Sequence, residues 1–334
     1  MKIDQIILVK ETREGEGRVA LIPNTVAVLT KKHYTVMVES QAGAMAGFKD
    51  EEYVQAGARI FSLEKDGLPA RSIILRVKRP IKARELLENK LMSADMVMIG
   101  FLDPFDVEHE NHIRTWQALG ITTVSLELLH LSANDPKNAQ AAMSRFAGRL
   151  ALEDALKRYS GMLPRKVSIF GTGPAGLGAA YYAKGLSLSV QLFGRQERYR
   201  EAIEKAGIAY LLLPEAGQST FIRSHLHDQT IILTAVRSIG NKSPLLIDAT
   251  VLSAVPDNAI IADLATGEGG NVIGSKEDEI VKVERGISIV NISGYPKTEP
   301  HAASEAFAEC MLNLILEIAP DQKFDLSKVQ RLLS

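Results

Sequence analysis

Cysteine is nearly absent: Cys310 stands alone among 334 residues. A single thiol excludes an internal disulfide framework and suits a reducing compartment, so a cytoplasmic protein is expected. Cys310 falls in an apolar helical stretch, 308–318, and reads as a buried structural thiol, not a nucleophile. Charge of one sign is lacking as well. The 39 Lys and Arg against 40 Asp and Glu leave a net charge of −1, which removes the electrostatic case for nucleic acid or an anionic membrane surface. No run of about 18 apolar residues occurs, so no insertion into a membrane is expected. Asp4 and Gln5 stand where a signal peptide would need its apolar core. Short-period repeats and low-complexity segments are missing too. What remains, 46% apolar and 24% charged residues, is the composition of a soluble globular protein long enough for two domains.

The most informative stretch that is present is 166–178, Lys-Val-Ser-Ile-Phe-Gly-Thr-Gly-Pro-Ala-Gly-Leu-Gly. A short apolar run ends in Gly171-x-Gly173-x-x-Gly176, and a small-residue helical pattern follows through Ala179, Ala180 and Ala183. In this strand–turn–helix setting Gly171 permits the turn, Gly173 lets the backbone approach a pyrophosphate, and Gly176 lets helix and strand pack closely. Pro174 and Ala175 complete the loop, whose free N–H groups and helix dipole favour an anion. Ser144 on the preceding helix, Ala235 and Val236 beyond the strand 231–234, and Asp263 at the end of the strand 259–264 are assigned to the same dinucleotide. An acidic residue about 20 positions on, at the tip of the second strand, normally binds the adenosine ribose. Here that strand runs into Gly194, Arg195, Gln196, Glu197 and Arg198. Glycine then arginine leaves room for a 2′-phosphate and supplies a fork to hold it. NADP is therefore placed ahead of NAD, with Glu197 turning toward a ribose as the alternative.

The remaining chain organises around this unit. Short apolar runs at 6–9, 36–38, 73–75, 96–99 and 122–124 alternate with helical patterns such as 25–32 and 51–56, which predicts a parallel sheet covered by helices. A long helix from about Gln140 leads into the nucleotide strand, with Gly148 its weak point. After Pro300 a final amphipathic helix, about 301–318, should pack back on the N-terminal lobe. The expected architecture is thus α/β with two Rossmann-like domains. Residues 129–301 form the dinucleotide domain, inserted between segments 1–128 and 302–334 of the other, with a cleft between the two.

Several segments together resemble the alanine dehydrogenase and pyridine nucleotide transhydrogenase alpha-subunit family. They are 10–23 (Lys-Glu-Thr-Arg-Glu-Gly-Glu-Gly-Arg-Val-Ala-Leu-Ile-Pro), Gln41 to Ala44 with Tyr53, Ala56, Gly57 and Ala58, Met143-Ser144 with Ala147-Gly148-Arg149, the Rossmann glycines, Asp263-Leu264-Ala265 with Gly269-Gly270-Asn271, and Gly294-Tyr295-Pro296. They fall in order along almost the whole chain. The resemblance implies hydride transfer at a nicotinamide. It also implies that Arg18 holds a substrate carboxylate and that Lys78 is the catalytic and substrate-binding lysine. On a strand Arg76 would share a face with Lys78, and like charge would then lower the lysine's pKa. Two positions depart from the dehydrogenase pattern. Asp103 replaces the acid–base histidine, and an ordinary Asp, with a pKa of about 3.9, reprotonates poorly at neutral pH where a His at about 6.5 would not. Gly267, beside Glu268, stands where the dehydrogenases carry a second Asp. The transhydrogenase alternative lacks its Arg/Gln/Asp loop in 130–136.

Three functions follow. The first is an NAD(P)-dependent oxidoreductase acting on an amino, imino or keto acid, with Arg18 and Lys78 converging on a small carboxylate-bearing substrate and Asp103 holding Lys78 or a water. The second is a transhydrogenase alpha-subunit-like protein. The third is a nucleotide-binding protein that has lost catalysis. A homo-oligomer is expected. No metal site is read: Glu108, His109 and His112 lack the spacing of a helical zinc motif and read as a solvated helix start, and His225 and His227 read as surface residues.

Overall fold

The computed structural model describes residues 1–104, 107–237, 243–265 and 269–334, with backbone alone for 107–111. Gly267 and Glu268, and the side chains of Glu108 and His109, lie outside the described residues. The chain forms two compact units, Met1–Met143 with Lys297–Ser334, and Ser144–Pro296 between them. The insertion is therefore shorter than the expected 129–301. Residues 129–138 belong to the first unit because they bond to its C-terminal segment: His130 N–H donates to the Leu332 carbonyl at 2.7 Å, and Lys137 pairs with Glu317 at 2.9 Å.

The first unit is built on six strands: β1 (Gln5–Leu8), β2 (Thr35–Glu39), β3 (Arg59–Phe61), β4 (Ser72–Lys78), β5 (Val97–Phe101) and β6 (Thr122–Ser125). They lie in the order β3-β2-β1-β4-β5-β6, every pair parallel. Near-continuous apolar runs such as Ser-Ile-Ile-Leu-Arg-Val-Lys suit strands buried on both faces, as a helix-covered parallel sheet requires. The helix Pro300–Ile318 opens on proline, which fits a first helical turn. It buries Phe307, Met311, Leu314 and Ile318, with the Phe307 ring 5.7 Å from that of Phe101 on β5. This helix thus packs on the first unit's sheet, as its pattern predicts, but it is not the final one: a further helix, Leu326–Leu333, follows it.

In the second unit the strands are β7 (Lys166–Phe170), β8 (Ser189–Gly194), β9 (Ala209–Leu212), β10 (Ile231–Thr234), β11 (Ile260–Asp263), β12 (Ile280–Lys282) and β13 (Ser288–Val290). Their order is β12-β13-β11-β10-β7-β8-β9, with only the edge strand β12 antiparallel. Alternate residues of one strand feed two cores: Ile169 packs with Ala180 and Leu192 on one face, Phe170 with Phe193 and Ile232 on the other. Each unit winds outward from a central strand to one edge, then returns to build the other. The reversal falls between β1 and β4 in the first unit and between β7 and β10 in the second. In open α/β sheets ligands bind at the carboxyl ends of the strands flanking such a reversal. Among the described residues no helix is long and apolar enough to cross a membrane.

Candidate functional sites at the two strand reversals

In the second unit the reversal carries a cavity of about 680 Å³. Its floor is the loop from Gly171 to Ala175, which joins β7 to the helix Pro174–Gly185. Gly171 has φ +113°, and a β-carbon there would come within 2.7 Å of the Ala235 carbonyl, so the turn admits no side chain. A β-carbon on Gly176 would lie 1.9 Å from the Gly171 carbonyl, the close helix–strand packing expected of it. Gly173 differs: nothing stands within 4 Å of a β-carbon built there. That open space, over the first N–H groups of a 12-residue helix, fits a pyrophosphate.

Of the residues assigned to the cofactor, Ser144, Gly171, Gly173, Pro174, Ala175, Gly194, Arg195, Ala235 and Val236 line this cavity. Arg195 is exposed, and among the described residues no hydrogen bond or ion pair engages its side chain. Glu197 is committed elsewhere, its two oxygens accepting from Arg200 at 2.5 and 3.2 Å. A β-carbon on Gly194 would meet the Tyr210 hydroxyl at 2.3 Å. That hydroxyl donates to the Gln196 carbonyl at 2.8 Å and so fixes the turn that carries Arg195.

Asp263 does not line the cavity. It is fully buried, and its oxygens accept from Thr234 Oγ1 at 2.9 Å, from the Ala265 N–H at 3.1 Å and from the Asn271 N–H at 3.0 Å. Burial raises its carboxyl, against the pull of those hydrogen bonds and one from Ser275. Asp263 therefore organises the following loop instead of presenting itself to a ligand. Asn271, also fully buried, donates to the Val236 and Pro244 carbonyls at 2.9 and 2.8 Å and accepts from the Val236 N–H at 3.1 Å. It ties the segment that follows β10 to residues 269–271, a role that the Gly-Gly-Asn resemblance marked without explaining.

In the first unit the reversal gathers charge. Lys78, at the end of β4, lies 3.5 Å from Asp103, and Arg13, on the segment after β1, lies 2.7 Å from the same carboxylate. The Lys78, Asp103 and Arg13 side chains are 26, 23 and 27% exposed, open enough to meet a ligand yet partly desolvated. Arg13 Nε also donates to the Arg79 carbonyl at 2.9 Å, and Lys78 Nζ stands 5.1 Å over the Phe101 ring. The expected Lys78–Asp103 contact is present, with Arg13 as an unforeseen third member.

Arg18 is almost buried. Its Nε and Nη2 donate to the two oxygens of Glu16 at 2.7 and 2.6 Å. Burial pushes the Glu16 carboxyl up, but the Arg18 hydrogen bonds and charge outweigh it and hold the acid below its ordinary value. One edge of the expected carboxylate fork is thus taken. Nη1 has no hydrogen-bond partner among the described residues.

Arg76 departs from expectation. The register between β4 and β5 shifts between Leu75 and Lys78, a bulge that breaks the simple alternation of faces. Arg76 is buried, 2.7 Å from Glu88, and its charge also pulls on the buried Glu11 carboxyl. Glu88 also accepts from Arg84, which grips Glu39 on β2. His112 is buried beside Glu85, not solvated as its sequence context suggested. His225 is half-buried, its ring 4.5 Å from that of Phe221, and His227 is exposed.

Comparison with known proteins agrees with this geometry. Residues 7–147 match the family model described as "Alanine dehydrogenase/PNT, N-terminal domain", and residues 138–333 match its C-terminal counterpart. The first portion of the NAD(P) transhydrogenase alpha subunit of Rickettsia prowazekii is 25% identical, over 96% of this chain and 91% of the relative. The crystal structure of transhydrogenase from Sinorhizobium meliloti is similar with a TM-score of 0.82 at 25% identity, over 93% of this chain and 92% of that one. A structure of L-alanine dehydrogenase gives 0.81 at 26% identity, over 94% and 90%.

Proposed function

Because the chain belongs to the alanine dehydrogenase/PNT family, whose dehydrogenases and transhydrogenases are NAD(P)-dependent oxidoreductases, we propose that it transfers hydride between a nicotinamide and a small amino, imino or keto acid. The observation that carries the substrate half is the cluster of Arg13, Lys78 and Asp103 at the first unit's strand reversal. Two partly desolvated cations converge there on one carboxylate, a place where an anion can be met. Lys78 faces the substrate. Arg18, with one edge held by Glu16, keeps Nη1 to bond the substrate carboxylate and orient it. Lys78 then donates a hydrogen bond to the adjacent carbonyl or imine, where negative charge grows during reduction. Asp103, held by two cations, keeps Lys78 in place and is not the acid.

The residues of the second unit fit a dinucleotide. The Gly171–Ala175 loop would take the pyrophosphate, and Arg195 a 2′-phosphate, which places NADP ahead of NAD. When bound, the nicotinamide supplies or accepts the hydride. The buried thiol of Cys310 suits a reducing cytoplasm, and a homo-oligomer is our expectation, which sedimentation velocity would show. The transhydrogenase-like reading is favoured by the likeness to the R. prowazekii subunit, but Asp135, in the segment where its loop would lie, is bound to Lys137 at 3.1 Å.

Reduction of NADP and NAD against a panel of amino acids, and oxidation of the reduced forms with keto acids plus ammonium, tests the proposal. Lys78→Ala should lower turnover on the order of 100-fold or more while leaving dinucleotide affinity within about twofold. No turnover of any acid by the wild-type protein, with dinucleotide binding intact, would favour the non-catalytic reading.

A further inference from the structure

The substrate-facing pair of the first unit is held by one construction used twice. β4 runs on past the end of its neighbour β1, which stops at Leu8 opposite Leu75. The amides of Val77 and Lys78 therefore lie beyond the ladder on that side. Glu11, three residues after β1 ends, fills the place: Val77 N–H donates to Oε1 at 2.6 Å and Lys78 N–H to Oε2 at 3.1 Å. One strand further along, β5 leads past the end of β6, which stops at Ser125 opposite Gly100. There Glu127, two residues after β6, accepts from Asp103 N–H on Oε1 at 3.0 Å and from Leu102 N–H on Oε2 at 3.3 Å. Ser125 Oγ fixes the second carboxylate with a 2.6 Å hydrogen bond.

In both places a carboxylate takes two successive backbone donors, one on each oxygen. Burial pushes the Glu11 carboxyl up to about 7, against the pull of Arg76 and the two amides, so its bonds are charge-assisted above that pH. At either site two bonds from one rigid group fix direction as well as distance. The residues so held are the two whose side chains meet, Lys78 and Asp103. Asp103 has φ +54°, a left-handed backbone that a non-glycine residue keeps only when its surroundings hold it there.

We propose that Glu11 and Glu127 are positioning residues that set Lys78 and Asp103 against each other, Glu11 through the end of β4 and Glu127 through the residues after β5. Its bearing on catalysis rests on the reading that Lys78 faces the substrate. Its bearing on geometry does not. A glutamine at either position keeps one acceptor but turns an NH₂ group toward the second amide, so one of the two hydrogen bonds is lost and the strand end is released.

The test uses the whole protein with its lysines reductively ¹³C-methylated and the Lys78 resonance assigned by its loss in Lys78→Arg. In Glu11→Gln and in Glu127→Gln that resonance and its titration midpoint should move. In Glu305→Gln, an exposed position on the helix Pro300–Ile318, they should stay. Turnover on whichever acid the panel identifies should fall on the order of 10- to 100-fold in the two variants, with NADP affinity unchanged. A Lys78 resonance unmoved in a folded Glu11→Gln protein overturns the proposal whatever the activity does. Should that variant not fold, the resonance in Glu127→Gln and in the shorter Glu11→Asp decides in the same way. A moved resonance in a protein that turns over no acid leaves the positioning role standing and removes the catalytic reading instead.

Discussion

Glu16 and Arg18 show how much a single buried pair decides. Neither side chain is more than 5% exposed, and the carboxylate takes both donors of one guanidinium edge. Removing one partner of such a pair leaves a buried charge uncompensated, at a cost of about 3–5 kcal/mol. Because the folded protein holds Glu16 below its unfolded value of 4.5, its contribution is present above that pH and is lost as pH falls through the folded value. Glu16→Gln should therefore destabilise the protein most at neutral pH, and the gap from wild type should narrow in urea titrations below about pH 4.5. A gap that is constant with pH would mean that packing, not charge, is lost. Nothing in the sequence announced this pair, since residues two apart in an irregular segment follow no periodicity. Arg195 was legible, because a strand tip has a known place in a nucleotide fold. With no partner among the described residues, it should supply about 1.5–3 kcal/mol to a 2′-phosphate. Arg195→Ala should weaken NADP accordingly and leave NAD alone in calorimetric titrations. Wild-type protein binding NAD tenfold tighter than NADP, about 1.4 kcal/mol, would refute that assignment.

Among the elements, the two helices Ala139–Arg158 and Pro174–Gly185 cross with almost no clearance. A β-carbon on Gly148 would stand 1.8 Å from the Ala175 carbonyl, and one on Gly178 would stand 2.5 Å from the Arg145 carbonyl. What reads in sequence as a weak point in a long helix is the contact that seats the cofactor helix. Gly148→Ala raises helix propensity yet forces the crossing apart, so a loss of about 1–3 kcal/mol in stability is expected. Dinucleotide affinity should fall with it, because the displaced residue, Ala175, belongs to the phosphate loop. A variant more stable than wild type would show that the crossing relaxes freely. The main strands were readable from apolar runs bounded by turns, including β1, β4, β7 and β10, which flank both sites. The short strands β3, β9, β12 and β13 were not, being three or four residues long and on or near sheet edges. The bulge before Lys78 escaped for another reason. It is a mismatch between two strands, and no single strand's pattern records it.

Across the whole molecule, the division into two units makes a claim about ligands. NADP should stabilise the unit formed by Ser144–Pro296 directly, by about 2.7 kcal/mol at a hundredfold excess over Kd. Hydrogen exchange would check this: protection gained on NADP binding should appear at 171–177 and 194–196 and should not appear first in β1 or β4. Protection confined to Met1–Met143 would place the cofactor in the wrong unit.

The discontinuity of the first unit carries a consequence for biosynthesis. Ile3 N–H donates to the Gln322 carbonyl at 2.7 Å, Phe324 N–H to that of Met1 at 2.8 Å, and the buried Tyr34 hydroxyl to Ala319 at 2.6 Å. The first strands to leave the ribosome thus find these partners only when residues 319–324 emerge. At roughly 5–20 residues per second that is a wait on the order of tens of seconds. The inserted unit needs no later segment, but its last residue, Pro296, precedes them by only roughly 25 residues, about 1–5 s at the same rate. Through that wait the nascent chain would carry an unfinished sheet, with the nucleotide fold finished only near its end, and the apolar runs of β1, β2 and β4 would be the surface that a chaperone meets.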